Sequence, residues 1–259
     1  MHFIKSFCSA FLMYSRIPVP QVEWKDENRR YALCFFPIIG AVIGGLLMLW
    51  QWLCGMLEIG SFLFAAVAVA TPVIVTGGIH LDGFCDVSDA KACRGTKEKM
   101  LAVMSDSHIG AFAAINLVLY LLLQAGLFSQ VNSTDIMLLC AYGFVQSRAW
   151  SALAAVIFKC AKSEGALQNF SKPAHKKITV AVEVLMLAAT ACGMIYTNIF
   201  SGTCAISGGV IAFVYYRIFS YKKFSGITGD LAGYFLQICE IAIIASAVLS
   251  NKIIEAAFL

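Results

Sequence analysis

Apolar residues in this chain gather into seven long blocks divided by short polar stretches, at about 33–54, 61–79, 109–128, 135–158, 178–200, 203–219 and 231–249. Each block approaches the roughly 20 residues that carry a helix across a hydrocarbon core about 30 Å thick, the sixth being the shortest. The pattern predicts an all-α, polytopic membrane bundle of about seven transmembrane helices, folded as one membrane-embedded domain over 1–259. A further apolar piece, Phe3 to Tyr14, is too short to cross. It leads into Arg16-Ile-Pro-Val-Pro20, whose prolines cannot continue a helix, and reads as an interfacial segment. Gly40 and Gly44 in the first block are spaced for close helix approach. Pro72 in the second is tolerable where neighbours satisfy the freed carbonyl.

Composition agrees with a membrane protein. Hydrophobic residues make up 60% of the 259 and charged ones 13%, with mean hydropathy +0.80; a soluble domain has about 45–50% apolar and about 25% charged. The ten Cys are scattered without a C-x-x-C pair and read as small buried hydrophobes, not disulfides or zinc ligands. The first residues lack the features of a signal peptide. The net charge of +4 matters less than its placement. Given seven spans, all Lys and Arg but two fall within 1–32, 80–108, 159–177 and 217–230; the exceptions are Lys252, on the opposite side, and Arg148, inside a span. The positive-inside rule puts the N-terminus and those four segments in the cytoplasm, where most of their basic residues meet anionic lipid headgroups. The expected surroundings are cell-membrane lipid, with no nucleic-acid partner; assembly into a homo-oligomer stays open.

The longest polar insertion, 80–108, follows Gly77-Gly78 and carries Asp82, Asp86 and Asp89 at i, i+4 and i+7. On a helix that spacing puts three carboxylates on one face. They repel each other unless a cation sits between them, and hard oxygen ligands suit Mg²⁺ or Mn²⁺. Such a site at a membrane surface points to metal-assisted transfer of a phosphorus group; the bland alternative is an acidic helix start that complements the dipole. Asp106, in Met104-Ser-Asp106-Ser107-His108, could add a fourth carboxylate and a second metal, or it or Ser107 could simply cap the third span. His80 and His108 read as hydrogen-bonding groups near the metal, because Mg²⁺ prefers oxygen. Thr228-Gly229-Asp230 opens the last span, where amides could cradle a phosphate beside an Asp230 ligand or base, or Asp230 could be a plain cap. Among the basic groups, Arg16 is the best candidate for a substrate phosphate, with Lys99 another.

Arg148 and Glu240 lie about 16 Å and about 15 Å deep in the fourth and last spans, at about 1.5 Å per residue from the cytoplasmic ends. Matching depth near the midplane predicts an ion pair, with Gln146 and Gln237 completing its hydrogen bonds. Alternatively a cavity sinks from the cytoplasmic face and Arg148 meets substrate phosphate.

These residues resemble, in order and over nearly the whole chain, the cobalamin synthases (adenosylcobinamide-GDP ribazoletransferases). Gly77-Gly78-x-His80-Leu81-Asp82-Gly83-x-x-Asp86-x-x-Asp89 is similar to that family's central motif, and Glu98-Lys99 through Phe112 to its following segment. Arg16 to Pro20, Phe36 to Gly40, Ser147-Arg148, Glu164-Gly165, Thr228 to Asp230 and Gln237 to Glu240 resemble further family motifs. One departure is His108, where the family usually has Arg; a phosphate held there would be held more weakly and pH-dependently. The resemblance implies that the 3′-hydroxyl of α-ribazole, or of its 5′-phosphate, attacks the cobinamide-linked phosphorus of adenosylcobinamide-GDP and displaces GMP. Mg²⁺ on Asp82, Asp86 and Asp89, with Asp106 as a further ligand, would neutralise the diphosphate. Asp230 would join these as a catalytic group. Arg16, His80, Lys99, Ser107, His108, Arg148 and Thr228 would bind substrate. Two other classes compete: a CDP-alcohol phosphotransferase, whose motif differs at Cys85-Asp86, and a cation-coupled transporter with Arg148 and Glu240 along its pathway.

Overall fold

A computed structural model of the chain describes residues 2–162 and 165–257; Ser163 and Glu164, the latter part of a family-like motif, lie outside them. Among the described residues the regular elements are helices: α1 (His2–Tyr14), α2 (Asp26–Arg29), a 3-10 turn (Ala32–Phe35), α3 (Phe36–Met56), α4 (Ser61–Thr76), α5 (Ile79–Ala92), α6 (Lys97–Val103), α7 (Ala111–Phe128), α8 (Thr134–Ile157), α9 (Ala166–Ser171), α10 (Lys176–Thr197), α11 (Ile199–Phe224) and α12 (Gly229–Ala257). The helical, polytopic architecture is the expected one. Among the described residues, five segments are long and apolar enough to cross a membrane: that ending in α3, then α7, α10, α11 and α12; α4 with α5 makes a sixth if the bent pair is counted as one span.

α8 is long enough but less apolar, because it stands at the centre of the bundle. It packs against α3, α10, α11 and α12, so its buried faces carry Gln146, Ser147, Arg148 and Ser151 in place of lipid-facing aliphatics. The outer helices show the reverse pattern, with Leu122 and Leu123 of α7, Leu185 of α10 and Ile211 of α11 exposed where hydrocarbon would lie. α3 can approach α8 closely because of Gly40 and Gly44. A Cβ at position 40 would overlap the Phe144 carbonyl, and one at position 44 would come within 2.9 Å of the Ala141 methyl. The small-residue spacing is therefore a helix contact.

The largest departure from the expected course is at Gly77-Gly78. α5 turns 97° away from α4 and packs along α12, α7 and α6. Both glycines are left-handed, at φ +67° and +79°, a conformation that L side chains adopt at a cost. The Gly77 site is also filled by the Arg16 side chain, which leaves no room for a Cβ.

Loops gather at two ends. At one, Lys162 Nζ donates to Ser105 Oγ at 3.1 Å, Ala161 N–H to the Ile227 carbonyl, His175 N–H to the Arg30 carbonyl and Arg16 N–H to the Val75 carbonyl. At the other, Gln51 Nε2 donates to the Ser133 carbonyl and Asn132 Nδ2 to Glu255. The first end collects the basic segments singled out from the sequence.

Candidate active site

α5 is helical throughout the acidic motif, so Asp82, Asp86 and Asp89 do share a face. Their environments differ. Asp89 accepts from the N–H groups of Gly110 and Ala113, at 2.7 Å and 2.8 Å. It is thus the cap of α7, placed there by a residue 21 positions upstream of Gly110. Neither Asp106 nor Ser107 caps that helix. Asp106 folds onto its own neighbour, accepting from the His108 backbone N–H at 3.0 Å and meeting His108 Nδ1 at 2.7 Å, both side chains solvent-exposed. Ser107 is exposed, and Lys99 lies on the exposed face of α6, its methylenes over Gly95. Among the described residues no contact carries Asp106, Ser107, His108 or Lys99 to the acidic face of α5.

The carboxylate that does join this face comes from the far end of the chain. Thr228 Oγ1 accepts from Leu231 N–H at 3.2 Å and so caps α12. Asp230 is left without a capping role; its carboxylate accepts from the Thr228 hydroxyl at 3.4 Å, with the charges of Lys162 and Asp82 nearby. Gly83 lets α5 meet α12 at this point: a Cβ there would stand 2.7 Å from the Asp230 carbonyl oxygen. Gly83→Ala is expected to push the two helices apart and lower turnover about tenfold or more, since small displacements of reacting groups are costly. Helical circular dichroism should stay unchanged. Turnover equal to wild type would mean that this close approach is not needed.

Burial, and then the charges of Asp82, Asp230 and Asp89, push Asp86 up to about 6. Among the described residues no three His, Cys, Asp or Glu side chains converge into a ready-made metal cage. The donor set nevertheless fits Mg²⁺, which binds through one or two carboxylates and completes its shell with water and substrate phosphate. Among the described residues, Asp82 and Asp86 form no ion pair or hydrogen bond through their carboxylates, and they repel each other without a cation.

Two hollows flank the carboxylates. An open groove holds Arg16, Gly77, Gly78 and Asp82 together, which sets the predicted phosphate-binding Arg beside the first Asp. On the other side is a more enclosed cavity of about 220 Å³, bordered by Tyr14, Phe36, His80, Asp82, Ala152 and Asp230 among others. His80 is buried against the rings of Tyr14 and Phe36, and burial, followed by the Arg148 charge, pushes it down to about 3. Arg148 is not on the wall of this cavity. Its Nη1 donates to Glu240 Oε1 at 2.6 Å and to the Phe144 carbonyl at 2.9 Å, with both charged side chains 1% exposed. The expected pair is therefore present, but Ser147 and Phe144 complete it, not Gln146 and Gln237.

Sequence reasoning missed Lys162 and Tyr14. Lys162 shares a small hollow with Thr228 and Asp230; its only signal was a place in the basic loop, two residues before Glu164-Gly165. Tyr14 closes a helix that reads as merely interfacial.

Fold and site together define a polytopic helical membrane enzyme with carboxylates between a groove that holds Arg16 and a mostly apolar cavity. Residues 6–248 match the cobalamin-5-phosphate synthase family. Among curated relatives, the adenosylcobinamide-GDP ribazoletransferase of Lachnoclostridium phytofermentans is 40% identical, over 98% of this chain and 97% of that one. The proteins of the same name from Clostridium perfringens and Treponema denticola are 32% and 31% identical, over 92% and 96% of this chain and 95% and 99% of theirs. The chain belongs to the cobalamin-5-phosphate synthase family. No solved structure matches it. The transporter and phospholipid-transferase alternatives fall with this assignment.

Proposed function

We propose that this chain joins adenosylcobinamide-GDP to α-ribazole, or to its 5′-phosphate, releasing GMP. The observation that carries the reading is the near-full-length relation to ribazoletransferases, together with unengaged carboxylates beside Arg16. In the reaction the 3′-hydroxyl oxygen of the riboside bonds to the cobinamide-linked phosphorus. The bond from that phosphorus to the GMP oxygen breaks, and GMP leaves with the electron pair. The hydroxyl proton passes to a carboxylate, for which Asp230 is the best placed, being half-buried and free of a capping role. Arg16 holds the diphosphate from the groove side. Asp82 and Asp86 would hold Mg²⁺, which when bound supplies charge neutralisation of the diphosphate and of the leaving GMP. Asp89 acts indirectly, by tying α5 to the start of α7. No enzyme nucleophile is needed, because such transfers depend on positioning and electrostatics.

The test is GMP release by the protein in lipid nanodiscs with Mg²⁺. It should require both adenosylcobinamide-GDP and α-ribazole; release independent of α-ribazole would overturn the transferase reading.

Asp86 also gives the metal reading a pH signature. Its folded value, about 6, lies above its ordinary 3.8, so the folded state holds this proton more tightly than the unfolded chain. The stability it contributes is full below the ordinary value and lost as pH rises through about 6. Mg²⁺ pairs with the ionised form only. The rise in Tm on adding Mg²⁺ should therefore be larger at pH 7.5 than at pH 5.5, and Asp86→Asn should abolish the difference. Equal shifts at both pH values in the wild type would remove Asp86 from the metal site.

The seven crossings and a cytoplasm-facing site belong to the same proposal, supported by the skewed charge distribution and by the basic loops meeting at one end. A cysteine introduced at position 95, with the native thiols replaced, should resist an impermeant reagent applied from outside. Labelling from outside would invert the topology.

A further inference from the structure

We infer that the cavity of about 220 Å³ between α1, α3, α5, α8 and α12 seats the benzimidazole base of α-ribazole, with the His80 imidazole hydrogen-bonding the one ring nitrogen that the ribose leaves free. This rests on the transferase reading above and adds to it which substrate the cavity takes and which residue reads the base.

Size comes first. Pockets for drug-sized ligands occupy about 300–1,000 Å³. This one holds a single bicyclic aromatic and excludes a corrin ring or a whole nucleotide. Its wall is mostly apolar: Tyr14 and Phe36 stand with centroids 4.3 Å apart, His80 stacks beside Tyr14 at 6.3 Å, and Leu33, Ala152 and Leu167 add aliphatic surface, with Ser151, Asp82 and Asp230 the further polar side chains on it.

Polarity selects among bicyclic bases. Guanine, the other base in the reaction, carries donors and acceptors around most of its edge, more than the few polar side chains of this wall can meet, and the rest would lose water. A benzimidazole has one free polar ring atom. On the cavity side the match is the His80 ring, which borders the cavity and is 6% exposed; its Nε2 is closed off in the packing with no hydrogen-bond partner among the described residues. A buried polar atom left unpaired is rare enough to need a reason.

Geometry then orients the guest. The free nitrogen and the glycosidic nitrogen belong to the same five-membered ring. A base bonded to His80 therefore turns its six-membered ring into the apolar wall and keeps its ribose at the end of the cavity where Asp82 and Asp230 stand. His80 and Asp82 both border this cavity, so the residue that reads the base also sets the ribose hydroxyl near the carboxylates.

The experiment compares α-ribazole with the α-riboside of 5,6-dimethylindole, which keeps the bicycle and its two methyl groups but has a C–H in place of the free nitrogen. Equilibrium binding of both is measured on the full-length protein in nanodiscs, for wild type, His80→Phe and Ala155→Leu, with adenosylcobinamide-GDP binding measured alongside. Wild type should prefer α-ribazole by about ten- to a hundredfold, and His80→Phe should erase that preference. Ala155→Leu, which fills the cavity, should weaken α-ribazole at least about tenfold and leave adenosylcobinamide-GDP within about twofold. The wild-type comparison stands even where a variant fails to fold. Equal wild-type affinity for the two ribosides, a preference that survives His80→Phe, or a loss confined to adenosylcobinamide-GDP in Ala155→Leu would each overturn the inference, the last by giving the cavity to guanine. Binding decides the base subsite, whereas α-ribazole-dependent GMP release decides the transferase reading, so either can fail without the other.

Discussion

Asp82→Asn and Asp86→Asn are each expected to lower GMP release by at least about a hundredfold, at or above the range for losing a group that merely supports a metal ligand. Asn keeps the size and hydrogen-bonding capacity of Asp and removes the charge. Neither carboxylate has a structural partner to lose, so folding should survive, and Asp86→Asn even relieves repulsion from Asp82, Asp89 and Asp230. Asp89→Asn should behave differently. Its carboxylate caps α7, and weakening a cap costs about 0.5–2 kcal/mol of stability. The three Asp of one helical face thus separate into two with a catalytic deficit at normal Tm and one with a lowered Tm. GMP release over a Mg²⁺ titration, with thermal unfolding of the same preparations, reads both. Near-normal, Mg²⁺-dependent turnover in both the Asp82 and Asp86 variants would place the site elsewhere.

That separation also shows where the sequence was legible. The i, i+4, i+7 spacing states a helical face, and α5 provides it, because local periodicity is a property of the segment itself. Depth arithmetic found Arg148 and Glu240, because a membrane leaves a buried charge few alternatives. Hydropathy located α8 within a residue at each end along with the outer helices, but not its central place, where a helix surrounded by protein carries Ser147, Arg148 and Ser151 inward.

Whatever depended on contacts distant in sequence was not legible. In sequence Asp106 adjoins the third span and looks like its cap, whereas Asp89 belongs to the distant acidic triplet; the 97° turn at Gly77-Gly78 is what redirects α5 so that Asp89 meets the α7 N-terminus. Asp230 looks like a cap until Thr228 is seen in that role. Tyr14 and His80 stand 66 positions apart, and nothing local to either announces their stacking.

Removing one member of the Arg148–Glu240 pair is expected to destabilise the protein by about 3–5 kcal/mol, and replacing both by apolar residues of similar size to cost much less. The asymmetry follows from burial. With Glu240→Leu, a guanidinium 1% exposed in the middle of the bundle keeps the Phe144 carbonyl and Ser147 but loses its counter-charge. With Arg148→Met, Glu240 keeps only the Ser147 hydroxyl, at 3.4 Å, while its Oε2 has no partner even in the intact pair. The double variant Arg148→Met/Glu240→Leu removes both desolvated charges together, and α8 and α12 are already packed against each other around them. Thermal unfolding in nanodiscs should therefore rank wild type and the double variant above both single variants. Activity supplies the second reading. Arg148 does not line the cavity that borders Asp82 and Asp230, so the folded double variant should release GMP at a rate near wild type. A double variant that is folded but inactive, alongside a harmless Glu240→Gln, would mean that Arg148 meets the substrate and that its ion pair with Glu240 is not its purpose.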